Sequence, residues 1–221
     1  MNEELIEKIV IELKKNNVLK KTSNKEKVVE IEASGRHIHL DRPTIDALFG
    51  EGHQLTKVKD LSQPGQFVCK ERLTIVGPRG ILKNVVVLGP ERSASQVEIS
   101  VTDSRMLGIS VPLKESGQIE DTPGVYLMKS NQMVYLDKGL IVAKSHIHMT
   151  QRDAERWNLS NKELVQVKVQ GDRPLIFDDV IIRVDENYAT FMHIDYDEAN
   201  ACLFKPGLIG EILKKSDSYG V

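Results

Sequence analysis

The tripeptide His-Ile-His occurs twice in this chain, at 37–39 and at 146–148, and each copy opens a longer repeated segment. SGRHIHLDRPTIDALFG begins the first copy and AKSHIHMTQRDAERWNL the second. Further on, NVVVLGPERSASQVEIS lies over DVIIRVDENYATFMHID without a gap, which sets Glu98 on His193 and Arg92 on Asn187. A duplication of this length commits the chain to two related folding units, because one pattern of apolar and polar residues must bury the same face twice.

The repeated pattern reads as strands. VVEIEAS, RLTIV, NVVVLG, QVEIS, VYLM, LIVAKS, LVQVKV, DDVIIRV and TFMHI are short apolar or alternating runs, with Gly-Pro, Pro-Gly and Gly-Asp pairs between them. Only short helices fit in the gaps. Asp41 and Thr150 follow the two His-Ile-His tripeptides as N-caps, and TDSRMLG and DEANACL read as capped helix starts. The fold class expected is mainly β: two related β-barrel domains capped by short helices. Each barrel is made of one copy, or the barrels exchange strands.

In a strand, residues i and i+2 point to the same side. His37 and His39 therefore project together while Ile38 faces a core, and His146, His148 and Ile147 repeat the arrangement. The aligned strands offer a third ligand to each pair, Glu98 to one and His193 to the other. Three N/O donors with an open fourth position describe a catalytic zinc site, although the donor types also suit Fe, Mn, Co and Ni. Five of the six histidines fall in this pattern; His53 does not, and reads as a surface or hydrogen-bonded residue. The halves differ in charge. A metal held by two histidines and a glutamate is less positive than one held by three histidines. Arg92 has only Asn187 opposite it. That asymmetry suits a phosphate on the second metal and a thiolate or carbonyl oxygen at the first.

Composition excludes other roles. A net charge of −2 over 221 residues gives no basic surface for nucleic acid. No apolar run approaches the roughly 20 residues a membrane helix needs, and no signal-peptide pattern opens the chain, so cytoplasm is the default. The two cysteines, Cys69 and Cys202, stand in no Cys-x-x-Cys motif and read as small buried hydrophobes. Ahead of the first repeat, residues 3–14 place Leu5, Ile6, Ile9, Val10 and Leu13 on one helical face, followed by a lysine- and asparagine-rich tether. Such a helix packs on its own chain or a dimer mate, or docks on a partner.

SGRHIHL, LTKVKDLSQPGQF, GPRG, VLGPERSASQVEIS, TDSRMLGI, SGQIEDTPG, AKSHIHMT and MHIDYDEANA resemble the PduL-type phosphotransacylases, also called phosphate propanoyltransferases, from about residue 28 to about residue 210. The resemblance implies reversible transfer of a short acyl group, propanoyl or acetyl, between coenzyme A and inorganic phosphate. It implies two zinc ions per chain, held by His37, His39 and Glu98 and by His146, His148 and His193, with Arg92 binding phosphate. It also implies a discontinuous first barrel, residues 25–35 plus 144–213, and a second barrel over 36–143, behind an N-terminal helix and linker over 1–24. Lys59 and Lys70 are candidates to meet the CoA phosphates, Asn200 is a further candidate contact for that cofactor, and Ser116 is a candidate to orient substrate. Family members with a similar N-terminal helix enter bacterial microcompartments of propanediol or ethanolamine degradation, so shell or cargo proteins are candidate partners, with a homodimer as the expected assembly. Two positions depart from the family pattern: Gly35 replaces a common Asn, and Ser145 a frequent Arg. The competing readings are a cupin-like oxygenase or isomerase with its ligands on a single metal, and a non-enzymatic metal-binding scaffold.

Overall fold

A computed structural model describes residues 27–215, so the helix expected over residues 3–14 and most of its tether lie outside the described residues. The chain opens with strands β1 (Val28–Ala33) and β2 (His37–His39), helix α1 (Arg42–Phe49), and strands β3 (Lys57–Asp60), β4 (Phe67–Val76), β5 (Ile81–Gly89) and β6 (Gln96–Glu98). Helix α2 (Val101–Leu107) precedes β7 (Leu113–Lys114), β8 (Val125–Lys129), β9 (Gln132–Leu136), β10 (Leu140–Ala143) and β11 (His146–Met149). Helix α3 (Gln151–Trp157), strands β12 (Leu164–Val169), β13 (Leu175–Val184) and β14 (Phe191–Ile194), helix α4 (Tyr196–Ala201) and strand β15 (Ile209–Lys214) complete it. The fold is mainly β, as the strand pattern required.

Six strands close a barrel in the order β1, β14, β11, β13, β12, β15. The rest form a curled sheet in the order β7, β10, β6, β2, β5, β4, β8, β9, with β3 on β4. The two sheets repeat one plan. β2 lies parallel to β5 and antiparallel to β6, pairing His37 with Val86 and with Glu98. β11 lies parallel to β13 and antiparallel to β14, pairing His146 with Ile181 and with His193. The strand before each His-Ile-His crosses to the other sheet. β1 pairs with β14 of the second repeat, and β10 with β6 of the first. Of the two architectures open from sequence, the strand-exchanged one is observed. The sheet comes close to closing in the same way as the barrel: Leu140 N donates to Pro123 O at 3.1 Å, where the barrel has Ile31 N to Leu208 O at 2.9 Å.

Each sheet has its own core. Ile147, Val165, Val167, Ile182 and Met192 fill the barrel, and Ile38, Leu73, Ile75, Val87 and Leu127 fill the curled sheet, all fully or almost fully buried. Both free cysteines belong to these cores, Cys202 to the barrel and Cys69 to the sheet, and burial pushes the Cys69 thiol up to about 11. The helices start where the caps require. Thr44 N donates to Asp41 Oδ1 at 3.0 Å and Asp153 N to Thr150 Oγ1 at 3.1 Å, while Ser100 with Asp103 and Asp195 with Glu198 form capping boxes on α2 and α4. Side chains also join the two sheets. The buried Gln63 amide donates to Ala189 O at 3.0 Å and accepts from Ala189 N at 3.2 Å, and Thr102 N donates to Asp197 Oδ2 at 2.8 Å.

Candidate active site

The exchanged strands bring both His-Ile-His tripeptides to one cavity of about 510 Å³, lined by all six predicted ligands and by Arg92. Ile38 and Ile147 point away and are completely buried in the two cores. In the first set, donor atoms of His37, His39 and Glu98 all lie within 4.8 Å of one another, and all three residues are buried. In the second, the imidazole centroids of His146, His148 and His193 lie 4.7, 4.9 and 5.2 Å apart.

Hydrogen bonds decide which nitrogen each ring offers. His37 Nδ1 lies 2.8 Å from Gly35 O and His146 Nδ1 lies 2.7 Å from Lys144 O. A carbonyl only accepts, so both Nδ1 atoms carry the proton and both Nε2 lone pairs face the site. His39 and His148 are the reverse case: each has a buried Nδ1 without a hydrogen-bond partner. A buried nitrogen left unpaired at the same place in both repeats is costly unless a ligand takes it, and a metal ion does so. The donor chemistry of both sets thus fits a divalent metal.

Burial, with help from neighbouring cationic groups, keeps most of these imidazoles neutral. Burial, then His37 and Arg92, hold His39 well below its ordinary value. Burial, then His146 and His193, bring His148 down to about 2, and burial with His146 brings His193 to about 3. His146 is lowered as well, mainly by burial. His37 differs: burial pulls it down, but Glu98, 3.5 Å from its Nε2, raises it above the usual imidazole value. Burial pushes the Glu98 carboxyl up, but His37, His39 and Ser116 together hold it well below the carboxylate range. A neutral imidazole and an ionised carboxylate are the forms that bind metal.

The carboxylate is also held in place. Glu98 Oε1 accepts from Gln96 Nε2 at 2.6 Å and from Ser116 Oγ at 2.7 Å, and Gln96 Oε1 accepts from Gly117 N at 2.7 Å. Ser116 lines the cavity itself and is hydrogen-bonded to Glu98 as well. His193 Nε2 lies 3.4 Å from Gln63 Nε2, and its Nδ1 lies 3.7 Å from Glu32 Oε2, which accepts from Ser62 Oγ at 2.5 Å.

The chain matches the family model described as phosphate propanoyltransferase over residues 30–205. It belongs to the phosphate propanoyltransferase family. Relatives of that description include one from Listeria monocytogenes, 57% identical over 98% of this chain and 99% of its own length. Another, from Enterococcus faecalis, is 65% identical over 84% of this chain and 88% of its own, and one from Clostridioides difficile is 54% identical over 96% and 97%. As a family member the chain is an acyltransferase, and its reaction is acyl transfer between coenzyme A and phosphate. Among the described residues no helix is long and apolar enough to cross a membrane.

The other predicted residues fall as follows. Lys59, Lys70 and Asn200 are exposed and do not line the cavity. His53 is hydrogen-bonded, its Nε2 3.0 Å from Glu71 Oε1, and stacks on Phe49. The two departures from the family pattern have local explanations. A Cβ at Gly35 would stand 2.6 Å from Tyr196 Cζ, so the tyrosine ring fills the space a side chain would need. Ser145 donates to Glu198, whose carboxyl burial pushes up, where the first repeat pairs Arg36 with Asp103 at 3.1 Å. Among the cavity residues that sequence reasoning missed are Arg183, Tyr188 and Gln63. Tyr188 lies over His148, ring centroids 4.3 Å apart. Arg183 carried a signal, since the alignment that sets Arg92 on Asn187 also sets Arg183 on Leu88. Tyr188 and Gln63 carried none.

Proposed function

We propose that this acyltransferase moves a short acyl group, propanoyl or acetyl, reversibly between coenzyme A and inorganic phosphate, with one zinc ion in each ligand set. The observation that carries the reading is the repeated unpaired nitrogen: His39 Nδ1 and His148 Nδ1, buried at matching positions, on a cavity shared with Arg92. Bound zinc supplies positive charge against the oxyanion and the departing thiolate.

The chain's own residues do the rest. Arg92 binds and orients phosphate with a planar donor fork. One phosphate oxygen attacks the thioester carbonyl carbon, the C–S bond breaks, and coenzyme A leaves as its thiolate, so no acyl-enzyme is needed. Ser116 and Gln96 keep Glu98 fixed. Water must be kept from the thioester, which the recessed cavity favours. Lys59, Lys70 and Asn200, outside the cavity, remain candidates for the CoA tail, which extends beyond the reacting thioester. The folding units proposed are residues 25–35 with 144–213, and residues 36–143. A cupin-like single-metal site fits poorly, because the two ligand sets stand on different sheets.

Purified enzyme given propanoyl-CoA is expected to release free thiol only when inorganic phosphate is present, and to carry two equivalents of metal, one per set. Thiol release independent of phosphate, or less than one equivalent of any transition metal after metal-replete expression, would refute the reading.

For residues 1–24 the proposed role is docking to a microcompartment shell or cargo protein, on a cytoplasmic homodimer. Deleting them is expected to leave turnover and metal content unchanged, since every proposed ligand lies later in the chain, and to abolish co-assembly. A drop in the thermal midpoint of more than about 5 °C would show instead that the segment packs on the enzyme.

A further inference from the structure

Arg183 lies on β13 in register with His148 on β11, and both line the cavity with Arg92. The equivalent residue in the first repeat is Leu88, whose backbone hydrogen-bonds His39. The second repeat thus places a guanidinium where the first has an aliphatic side chain, on a strand that faces the ligands. A charge at a half-buried position is costly unless something of opposite sign meets it.

No carboxylate meets it. Among the described residues the arginine ion pairs are Arg36 with Asp103 and Arg42 with Asp46 and Glu91; Arg92 and Arg183 have none. Glu98, which acts on Arg92, and Glu115, on which Arg183 acts, are both engaged elsewhere: Glu98 with His37 and Ser116, Glu115 with Lys162. The guanidiniums also feel each other. Burial pulls Arg92 below its ordinary value, Glu98 opposes this, and Arg183 adds to it. Arg183 likewise lowers His146, His148 and His193, after burial in each case, which places its charge beside the three-histidine set.

Two like charges on one recessed cavity, each without a carboxylate, are stabilised by an anion carrying more than one negative charge. A thioester carbonyl is neutral; inorganic phosphate and an acyl phosphate are not. We propose that Arg183 and Arg92 form a two-guanidinium clamp on the phosphoryl group, Arg183 reaching it from the barrel and Arg92 from the curled sheet. The proposal rests on the phosphate acyltransferase reading above. Because the phosphoryl group stays dianionic as substrate and as product, the clamp serves both directions, and phosphate bridges the two halves.

The test uses the metal-loaded enzyme with Arg183→Gln and Arg183→Lys, varying both substrates. Arg183→Gln is expected to raise the KM for phosphate ~10–100-fold and leave that for propanoyl-CoA within about twofold, as loss of a charge-assisted donor to the anion alone requires. Metal content stays at the wild-type value, and inorganic phosphate raises the thermal midpoint of the variant less than that of the wild type. Arg183→Lys, which keeps the charge but not the fork, recovers part of the phosphate affinity, and carries the test should the glutamine variant fail to fold. An unchanged KM for phosphate overturns the clamp. So does a rise confined to propanoyl-CoA, which assigns Arg183 to the thioester side, and so does loss of metal, which makes it a support for His148. A wild type that releases thiol without phosphate overturns the acyltransferase reading itself; a phosphate-dependent wild type with an unaffected Arg183→Gln overturns only the clamp.

Discussion

Replacing His39 with alanine is expected to halve the metal bound per chain and to lower turnover by about three orders of magnitude. Its Nδ1 is buried and unpaired, while Nε2 is the nitrogen left for the Leu88 backbone, so the ring presents one free lone pair to the site. Burial, His37 and Arg92 keep it neutral, so metal uptake displaces no proton from it at neutral pH. Without the ring, His37 and Glu98 remain as a two-donor pair, whose 3.5 Å contact closes into an ordinary ion pair. Lewis-acid stabilisation of several kcal/mol is then lost. About 4 kcal/mol corresponds to roughly 10³ in rate. His53→Ala is the control, because His53 is occupied with Glu71 and does not line the cavity. Elemental analysis and phosphate-dependent thiol release check both numbers; a His39→Ala enzyme with full metal and wild-type turnover would end the case for the first metal set.

The histidine pairs are legible in the amino-acid sequence because the strand period alone puts residues 37 and 39 on one side, and residues 146 and 148 likewise. The proposed third ligands are legible because the gapless alignment preserves register: His37 stands opposite Glu98 and His146 opposite His193. Strand exchange is not. Periodicity reports which face of a strand is buried, not which strand lies beside it, so it leaves the destinations of β1 and β10 open. Strand β15 is hidden for a different reason. Its run IGEILK carries a glycine inside the strand, and a Cβ at Gly210 would stand 2.4 Å from Val167 Cγ1, so glycine is what lets β15 pack against the barrel interior. Gln63 sits in SQPGQ, which reads as a turn and nothing more. Its amide pairs with the backbone of Ala189, a contact 126 residues away that no local pattern encodes.

Arg92→Ala is expected to raise the KM for phosphate and lower turnover, together costing ~10–100-fold in kcat/KM for phosphate, the loss of a charge-assisted donor. The backbone of Arg92 is anchored, its N–H donating to Leu40 O at 2.8 Å, so truncating the side chain removes the guanidinium without freeing the loop. The side chain forms no ion pair among the described residues, so no buried carboxylate is stranded and the effect reads as lost anion binding. Removing it also relieves His37 and His39 of a nearby positive charge, a change that favours metal binding and leaves the first set intact. Metal content should therefore hold while phosphate affinity falls, a separation that general unfolding would not produce. Arg92→Lys should lie between, since an ammonium supplies charge without two parallel donors. Kinetics at limiting phosphate and low salt are the measurement, because added salt screens the guanidinium and its anions compete with phosphate for it. Wild-type kinetics in the alanine variant under those conditions would mean that phosphate is held without Arg92.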